Sequence, residues 1–138
     1  MAIHYQLQNV AGNPLNNRRK ISAWINKCIL DHYKNLGDIN VVLMSDEDLL
    51  KINVMFLKHN FYTDIITFPM SNDNTISGDL CISYDRVIDN AKELNIAKDI
   101  ELLRVIIHGV LHLCGYDDHS INDKEQMTQK EDYYLSIF

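Results

Sequence analysis

A run of potential metal ligands at the end of an apolar helical segment limits the possible structures of this chain more than any other part of it. Residues 108–119 read His-Gly-Val-Leu-His-Leu-Cys-Gly-Tyr-Asp-Asp-His. His108 and His112 are four residues apart, so on a helix they lie on one face and can share one ion. Gly115 is a typical residue to end such a helix. The pattern predicts a metal site built from two helical histidines and one residue of the following turn.

The third ligand from the turn is either Asp118 or His119. Three protein ligands leave the fourth position of a tetrahedral zinc ion open for water or substrate, which is typical of catalytic zinc sites. Gly109 occupies the position at which the H-E-x-x-H pattern of zinc proteases has its catalytic Glu, and this argues against a protease. Gly109 also lowers helix stability by about 1 kcal/mol relative to Ala, so we expect a close approach of backbone or substrate there.

Length and composition predict one soluble domain that spans residues 1–138. The chain is 46% hydrophobic, and none of its apolar runs approaches the length of a transmembrane helix. Its first residues lack the basic start and apolar core of a signal peptide. Its three cysteines are an odd number, widely spaced and set in apolar surroundings, which favours reduced buried thiols over a disulfide framework. We therefore expect a cytoplasmic protein without membrane contact. The net charge of −6 provides no general electrostatic attraction for RNA.

Hydrophobic periodicity and turn residues predict an α+β fold. Alternating or β-branched segments predict strands over 3–9, 39–44, 65–68 and 78–82, with a turn at 71–75 that makes the last two a hairpin. Helical spacing of apolar residues predicts helices over 15–34, 45–55, 84–94, from 100 through the two histidines, and over 122–135. We expect a small mixed sheet of about four strands covered by about five helices.

Several local signals refine this prediction. Ser45 and Ser83 precede helices as N-caps, and Gly37 with Asp38 is expected to break the chain before the second strand. Four charged residues indicate a mostly solvated face on the last helix: Glu125, Lys130, Glu131 and Asp132.

The ligand run resembles the signature of the YbeY family of bacterial endoribonucleases, H-G-x-L-H-L-x-G-Y-D-H. Eight residues agree with it in order: His108, Gly109, Leu111, His112, Leu113, Gly115, Tyr116 and Asp117. Residues 63–69 are similar to the family segment T-D-V-L-S-F-P, and residues 78–83 to G-D-I-x-I-S. The resemblance covers nearly all of the chain from Ile39 to Phe138.

Two positions depart from the family pattern. The third zinc ligand of the family lies ten residues after the first histidine, which is Asp118 here, whereas ligand chemistry favours His119 if the turn holds one extra residue. The family's arginine, implicated in activity, is replaced by Leu57. Lys58 or His59 is left to supply a positive charge, although Lys lacks the planar fork of Arg.

The resemblance implies a zinc-dependent, single-strand-specific endoribonuclease that binds one zinc ion and acts in ribosomal RNA 3′-end maturation and ribosome quality control. Its implied partners are single-stranded or ribosomal RNA and the ribosome or assembly factors. Two alternatives remain: a metallohydrolase for another substrate, including a peptide, and a ribosome-assembly binding protein with a structural zinc.

The candidate catalytic residues are Lys58, Asp64, Asp79 and Asp117, together with whichever of Asp118 and His119 is not a ligand. A capping or structural role is the alternative for each of the acids, so the general base stays open. An acidic protein that binds RNA must also concentrate its few cations. Four are therefore expected near the site: Arg18, Arg19, Lys20 and Lys58.

Overall fold

A computed structural model describes residues 2–138, and its elements follow one another in the predicted order. The strands are Ala2–Gln8 (β1), Asn35–Met44 (β2), Ile65–Pro69 (β3) and Thr75–Ser83 (β4). The helices are Arg18–Asp31 (α1), Asp46–Leu57 (α2), Tyr84–Leu94 (α3), Lys98–Leu113 (α4) and Ile121–Ser136 (α5). The predicted α+β class is confirmed. None of the helices within these residues is long and apolar enough to cross a bilayer.

The strands form one mixed sheet in the order β1-β2-β4-β3. β1, β2 and β4 are parallel, and β3 runs antiparallel to β4, so β3 and β4 form the predicted hairpin. Parallel neighbouring strands need long crossover connections. Helix α1 forms the connection between β1 and β2, and α2 begins the connection between β2 and the hairpin. β3 is therefore an edge strand, and the loop between α2 and β3 lies beside that edge.

The second strand starts earlier than predicted. Gly37 and Asp38 do not break the chain, because β2 already includes both residues. The pairing of β2 with β4 shifts register between Leu36 and Ile39. A Cβ at Gly37 would lie 2.0 Å from Ser77 Oγ, so the missing side chain lets the irregular strand pass close to β4. The glycine marks a bulge inside the strand and not its beginning.

Helix α4 occupies the centre of the fold and contacts β3, β4, α1, α3 and α5. The main apolar core lies between these helices and one face of the sheet, to which Leu80 and Ile82 of β4 point. Cys81 lies between them in sequence and points to the opposite face, where a smaller apolar cluster packs under α2. All three cysteines are free thiols.

Gly109 lets α4 lie directly against the sheet. A Cβ at this position would lie 2.7 Å from Ile65 Cδ1 and 2.8 Å from Leu80 Cδ2. The close approach that we expected at Gly109 is therefore made by apolar side chains of β3 and β4, and neither a backbone segment nor a substrate is needed to explain it. This packing fixes the distance between the sheet edge and the turn of α4 that carries His108.

Serine caps define the starts of α2 and α3, as predicted. The Oγ of Ser45 accepts a hydrogen bond from the backbone N–H of Asp48 at 3.2 Å, and the Oγ of Ser83 accepts one from Arg86 at 3.1 Å. Each cap satisfies a backbone donor that the helix itself leaves free. The cap at Ser45 thus fixes the start of α2, and the loop after α2 forms one wall of the candidate site.

Candidate metal centre and cleft

The last two turns of α4 carry His108 and His112 with their rings close together. The ring centroids are 4.5 Å apart, and the two Nε2 atoms are 3.0 Å apart. The side chains are 24% and 25% exposed, so they are accessible from a cleft without being free in solvent. The spacing of four residues on a helix places both rings on one face, as the sequence predicts.

Hydrogen bonds at the Nδ1 atoms determine which nitrogen of each ring faces the cleft. His112 Nδ1 lies 2.8 Å from the carbonyl oxygen of Tyr116, which can only accept, so we assign the proton of the neutral ring to Nδ1. His108 Nδ1 lies 2.6 Å from Oε2 of Glu131 and donates to this carboxylate. Both Nε2 atoms therefore present a lone pair to the cleft. Metal-binding histidines in proteins are typically held in this way.

Asp118 brings a carboxylate to the same point. Its Oδ2 lies 3.5 Å from Nε2 of His108 and 3.4 Å from Nε2 of His112. All three atoms lie within 4.8 Å of one another. Ligands bound at about 2.0–2.1 Å to a tetrahedral zinc ion stand roughly 3.3 Å apart, so the spacing fits a metal ion.

The chemistry of the three atoms also fits a cation. Two imidazole lone pairs and one carboxylate oxygen converge, and none of these atoms can donate a hydrogen bond to another in the assigned tautomers. Electron-rich atoms at such distances repel one another unless a positive charge lies between them. Two nitrogens and one oxygen are a ligand set that zinc accepts. The group of His108, His112 and Asp118 can therefore hold a divalent metal ion.

Nearby carboxylates favour positive charge at this end of the cleft. Burial alone lowers the pKa of His108, but the hydrogen bond and charge of Glu131, with the charges of Asp118 and Asp64, outweigh it and raise that pKa above its ordinary value. Burial raises the pKa of Asp64, an effect that the charge of His108 only partly offsets. The site thus combines a cation-attracting centre with a carboxyl group that is more basic than usual.

His119 lies outside this group. Its side chain is exposed, does not line the cleft, and precedes Ser120, which caps α5. Gly115 has a φ of +109°, a conformation that L side chains rarely adopt, and it turns the chain back immediately after α4. The turn therefore brings Asp118, and not His119, to the two histidines in this structure.

The three candidate ligand residues line an open cleft of about 510 Å³. One side of the cleft is formed by α4 and the turn after it, and the other by Leu57, His59 and Phe61 from the end of α2 and the loop that follows. Side chains of β3, including Ile65 and Thr67, form the surface between them. The cleft is large enough for several groups of a polymeric substrate.

Only two of the four candidate catalytic residues line the cleft. Asp64 and Asp117 line the cleft, whereas Lys58 and Asp79 do not. Asp79 lies on β4 and accepts a hydrogen bond from Asn40 Nδ2 at 2.8 Å, which indicates a structural role. Lys58 ends α2 in the left-handed conformation and is exposed.

The expected grouping of cations around the site does not occur. Within the part of the chain that the structure describes, no Lys or Arg lines the cleft. The guanidinium of Arg18 lies 5.7 Å from the ring centroid of Tyr5, and Lys20 Nζ lies 4.3 Å from that of Phe138. Arg19 and Lys58 are equally absent from the cleft lining.

Glu131 contacts a candidate metal ligand, and its position differs from the one predicted from the sequence. We expected it on a solvated face of the last helix, but it is only 7% exposed and holds His108. Its second oxygen lies 3.4 Å from Arg104 Nη1. Met127 and Tyr134, four residues before it and three after it, are also buried, so Glu131 lies on the inward face of α5. The sequence contains this spacing, but the charge of Glu131 led us to expect a solvated side chain.

Known proteins share sequence and fold with nearly the whole chain. The family described as Endoribonuclease YbeY matches residues 6–138. The Endoribonuclease YbeY of Flavobacterium johnsoniae is 45% identical over 124 residues, which cover 90% of this chain and 89% of that protein. That of Bacteroides thetaiotaomicron is 41% identical over 137 residues and covers 99% of both. The solution structure of TM1509 from Thermotoga maritima has a TM-score of 0.69 and 27% identity, and covers 97% of this chain and 87% of that one.

The first prediction separates the two candidates for the third ligand. Asp118→Ala removes the carboxylate that faces both histidines, so we expect metal affinity to fall by at least about 10–100-fold, the loss typical even of residues that only support ligands. His119→Ala should leave the affinity unchanged, because that side chain is exposed outside the group. Competition with a chromophoric chelator measures both values. Near-wild-type affinities for both variants would show that neither residue is a ligand.

The second prediction concerns the carboxylate behind His108. Glu131→Gln keeps the shape of the side chain but removes its charge, so His108 becomes a weaker ligand and metal affinity should fall about 10–100-fold. Asp132→Asn is the matched control, because Asp132 also pairs with Arg104, at 3.1 Å, and is 61% exposed. The same chelator competition, with circular dichroism to verify folding, tests the pair. Equal affinities in the two variants would contradict the role assigned to Glu131.

Proposed function

Because this chain belongs to the Endoribonuclease YbeY family, we propose that it is a zinc-dependent endoribonuclease that cleaves single-stranded RNA. The observation that supports this most strongly is the convergence of His108 Nε2, His112 Nε2 and Asp118 Oδ2 at one end of an open cleft. Three protein ligands leave a coordination position for water or a phosphate oxygen, and this is the arrangement of catalytic zinc sites.

The residues around the ligands have separable tasks in this proposal. Zinc held by His108, His112 and Asp118 would polarise a phosphoryl oxygen and acidify a bound water. Glu131 and the Tyr116 carbonyl hold the two rings with Nε2 towards the cleft. These hydrogen bonds keep the ligand atoms in place before substrate arrives, which avoids reorganisation during the reaction.

Proton transfer in the proposed reaction is assigned to the cleft carboxylates. Asp64 lines the cleft, and burial raises its pKa, so it can accept a proton from an attacking water more readily than an ordinary Asp. Asp117 also lines the cleft but is exposed, which makes it the second candidate. Lys58 and Asp79, outside the cleft, have no role in this scheme.

We further propose that the protein acts in the cytoplasm, in the maturation of ribosomal RNA 3′ ends and in ribosome quality control, which the family resemblance supports. A protein of net charge −6 has no general electrostatic attraction for RNA. A ribosome or an assembly factor that presents the single strand to the cleft would compensate for this weakness. The proposed partners are therefore ribosomal RNA together with ribosomal or assembly proteins.

The third prediction tests the proposed activity directly. Zinc-loaded protein should cleave a single-stranded RNA but neither a perfect duplex of the same sequence nor casein. His112→Ala should reduce the rate by at least about 100-fold, because metal catalysis supplies several kcal/mol of transition-state stabilisation. His119→Ala, which changes an exposed histidine outside the ligand group, is the control and should cleave normally. Cleavage of casein, or an undiminished rate in His112→Ala, would contradict the proposal.

The fourth prediction asks whether the metal is catalytic or structural. The side chains of His108 and His112 are about one quarter exposed and that of Asp118 is 39% exposed, while the main core is formed by apolar residues. Protein treated with a chelator, and the His108→Ala/His112→Ala variant, should therefore keep the native circular dichroism spectrum and unfold cooperatively, with only the few degrees of Tm lost that ligand removal entails. Added zinc should restore cleavage to the chelator-treated wild-type protein but not to the His108→Ala/His112→Ala variant. A metal-free protein that is unfolded at room temperature would instead indicate a structural zinc.

A further inference from the structure

Two stacked rings form part of the cleft wall. His59 and Phe61 both line the cleft that contains the ligand atoms, with ring centroids 5.1 Å apart and ring planes inclined by 19°. Phe61 is 55% exposed, and His59 is exposed as well. The pair therefore offers a flat aromatic surface inside the same cleft as His108 and His112, available to a further ring.

A buried asparagine holds the loop that carries these rings. Asn53 is 1% exposed, and its side-chain Nδ2 donates to the backbone carbonyl oxygen of Phe61 at 2.9 Å. Its backbone carbonyl oxygen accepts a hydrogen bond from the backbone N–H of His59 at 3.1 Å. Lys58, between the end of α2 and His59, turns the chain in the left-handed conformation with a φ of 57°. Because one buried residue fixes the backbone at both ends of the segment 59–61, the segment that carries the two rings is ordered before a ligand binds, which lowers the entropic cost of binding.

Neighbouring exposed aromatic residues are engaged in other contacts. The hydroxyl of Tyr62 donates to Glu47, and the Arg86 guanidinium lies 5.2 Å from the centroid of the Tyr62 ring. Phe56 packs edge-on against Phe68, and like Tyr62 it does not line the cleft. The His59–Phe61 pair differs from these residues because its rings stack on each other within the cleft lining.

The charges of the cleft make an aromatic surface important for binding RNA. Asp64, Asp117 and Asp118 line it, and among the residues 2–138 no Lys or Arg does. Contacts to phosphates can therefore supply only a small part of the affinity for a nucleic acid. A base stacked on an aromatic side chain contributes about five- to hundred-fold in affinity and needs no positive charge.

We propose that the exposed face of the His59–Phe61 pair stacks on one nucleobase of single-stranded RNA and so positions the neighbouring phosphodiester at the metal centre. This inference rests on the proposed function and names the feature by which the cleft recognises its substrate. Every nucleobase has an aromatic face, so the contact tolerates all four bases. A base in a duplex is already paired and stacked, so it cannot occupy the platform, and the contact therefore selects single strands.

The test compares three variants of the zinc-loaded protein. Affinity for a short fluorescent single-stranded RNA is measured by stopped-flow anisotropy before turnover, and cleavage is followed in parallel. Phe61→Leu keeps an apolar side chain but removes the ring, and we expect about five- to hundred-fold weaker binding. Phe61→Tyr should restore wild-type affinity because it restores the ring. Phe56→Leu, which removes an exposed ring outside the cleft, is the matched control and should bind normally.

An abasic oligomer of the same length separates base stacking from a structural effect of the substitution. Wild-type protein should bind it about as weakly as Phe61→Leu binds the intact RNA, and Phe61→Leu should not weaken that binding further. Equal binding of intact RNA by wild type and Phe61→Leu, equal binding of intact and abasic oligomers by wild type, or no binding of the single strand at all would each overturn the inference.

The same measurements distinguish the inference from the proposed function. Binding that depends on Phe61 without any cleavage by zinc-loaded wild type would retain the stacking platform and reject the endoribonuclease. Metal-dependent cleavage with an unchanged KM in Phe61→Leu would retain the endoribonuclease and reject the platform. If both hold, the loss in Phe61→Leu should appear mainly in KM, because stacking binds substrate and transition state alike.

Discussion

The hydrogen bond between His108 Nδ1 and the buried carboxylate of Glu131 connects the candidate metal centre to the core of the fold. A buried carboxylate is costly unless it is paired, and Glu131 is paired on both oxygens, with His108 at 2.6 Å and Arg104 at 3.4 Å. Glu131 belongs to α5, so the last helix orients a candidate ligand carried by α4. Loss of this carboxylate would leave the ring of His108 free to rotate even if α4 itself remained intact.

The turn after α4 is held by a second set of contacts that leads back to α1. Tyr116 accepts a hydrogen bond from His112 Nδ1 through its carbonyl, and its hydroxyl lies 2.9 Å from His32 Nε2. His32 Nδ1 donates to the Cys28 carbonyl at 2.7 Å, which leaves Nε2 to accept from the tyrosine. Tyr116 therefore holds both the ring of the candidate ligand His112 and the path of the chain. Asp118 follows two residues later, and its position beside the histidines is a consequence of this anchored turn.

Features that depend on regular spacing were predictable from the sequence, and features that depend on tertiary contacts were not. The four-residue interval of His108 and His112 and the caps at Ser45 and Ser83 follow from helix geometry, as does the general α+β order. Glu131 escaped prediction because a charged side chain is usually solvated, although its spacing from Met127 and Tyr134 placed it inward. The His59–Phe61 pair lies in an aperiodic loop whose shape is set by Asn53, a contact that periodicity cannot show.

The acidic cleft and the metal centre together explain how a protein of net charge −6 could act on a polyanion. Three aspartates line the cleft, and a phosphodiester that approaches them is repelled unless a positive charge is present. In the proposed function, a divalent cation held by His108, His112 and Asp118 would reverse the sign of the field at one point only, so a phosphate would be attracted there and repelled elsewhere. Such a cleft needs a contact that does not depend on charge to bind the rest of the RNA strand. The proposed stacking surface of His59 and Phe61, which lines the same cleft, would provide one and would favour substrates whose bases are unpaired.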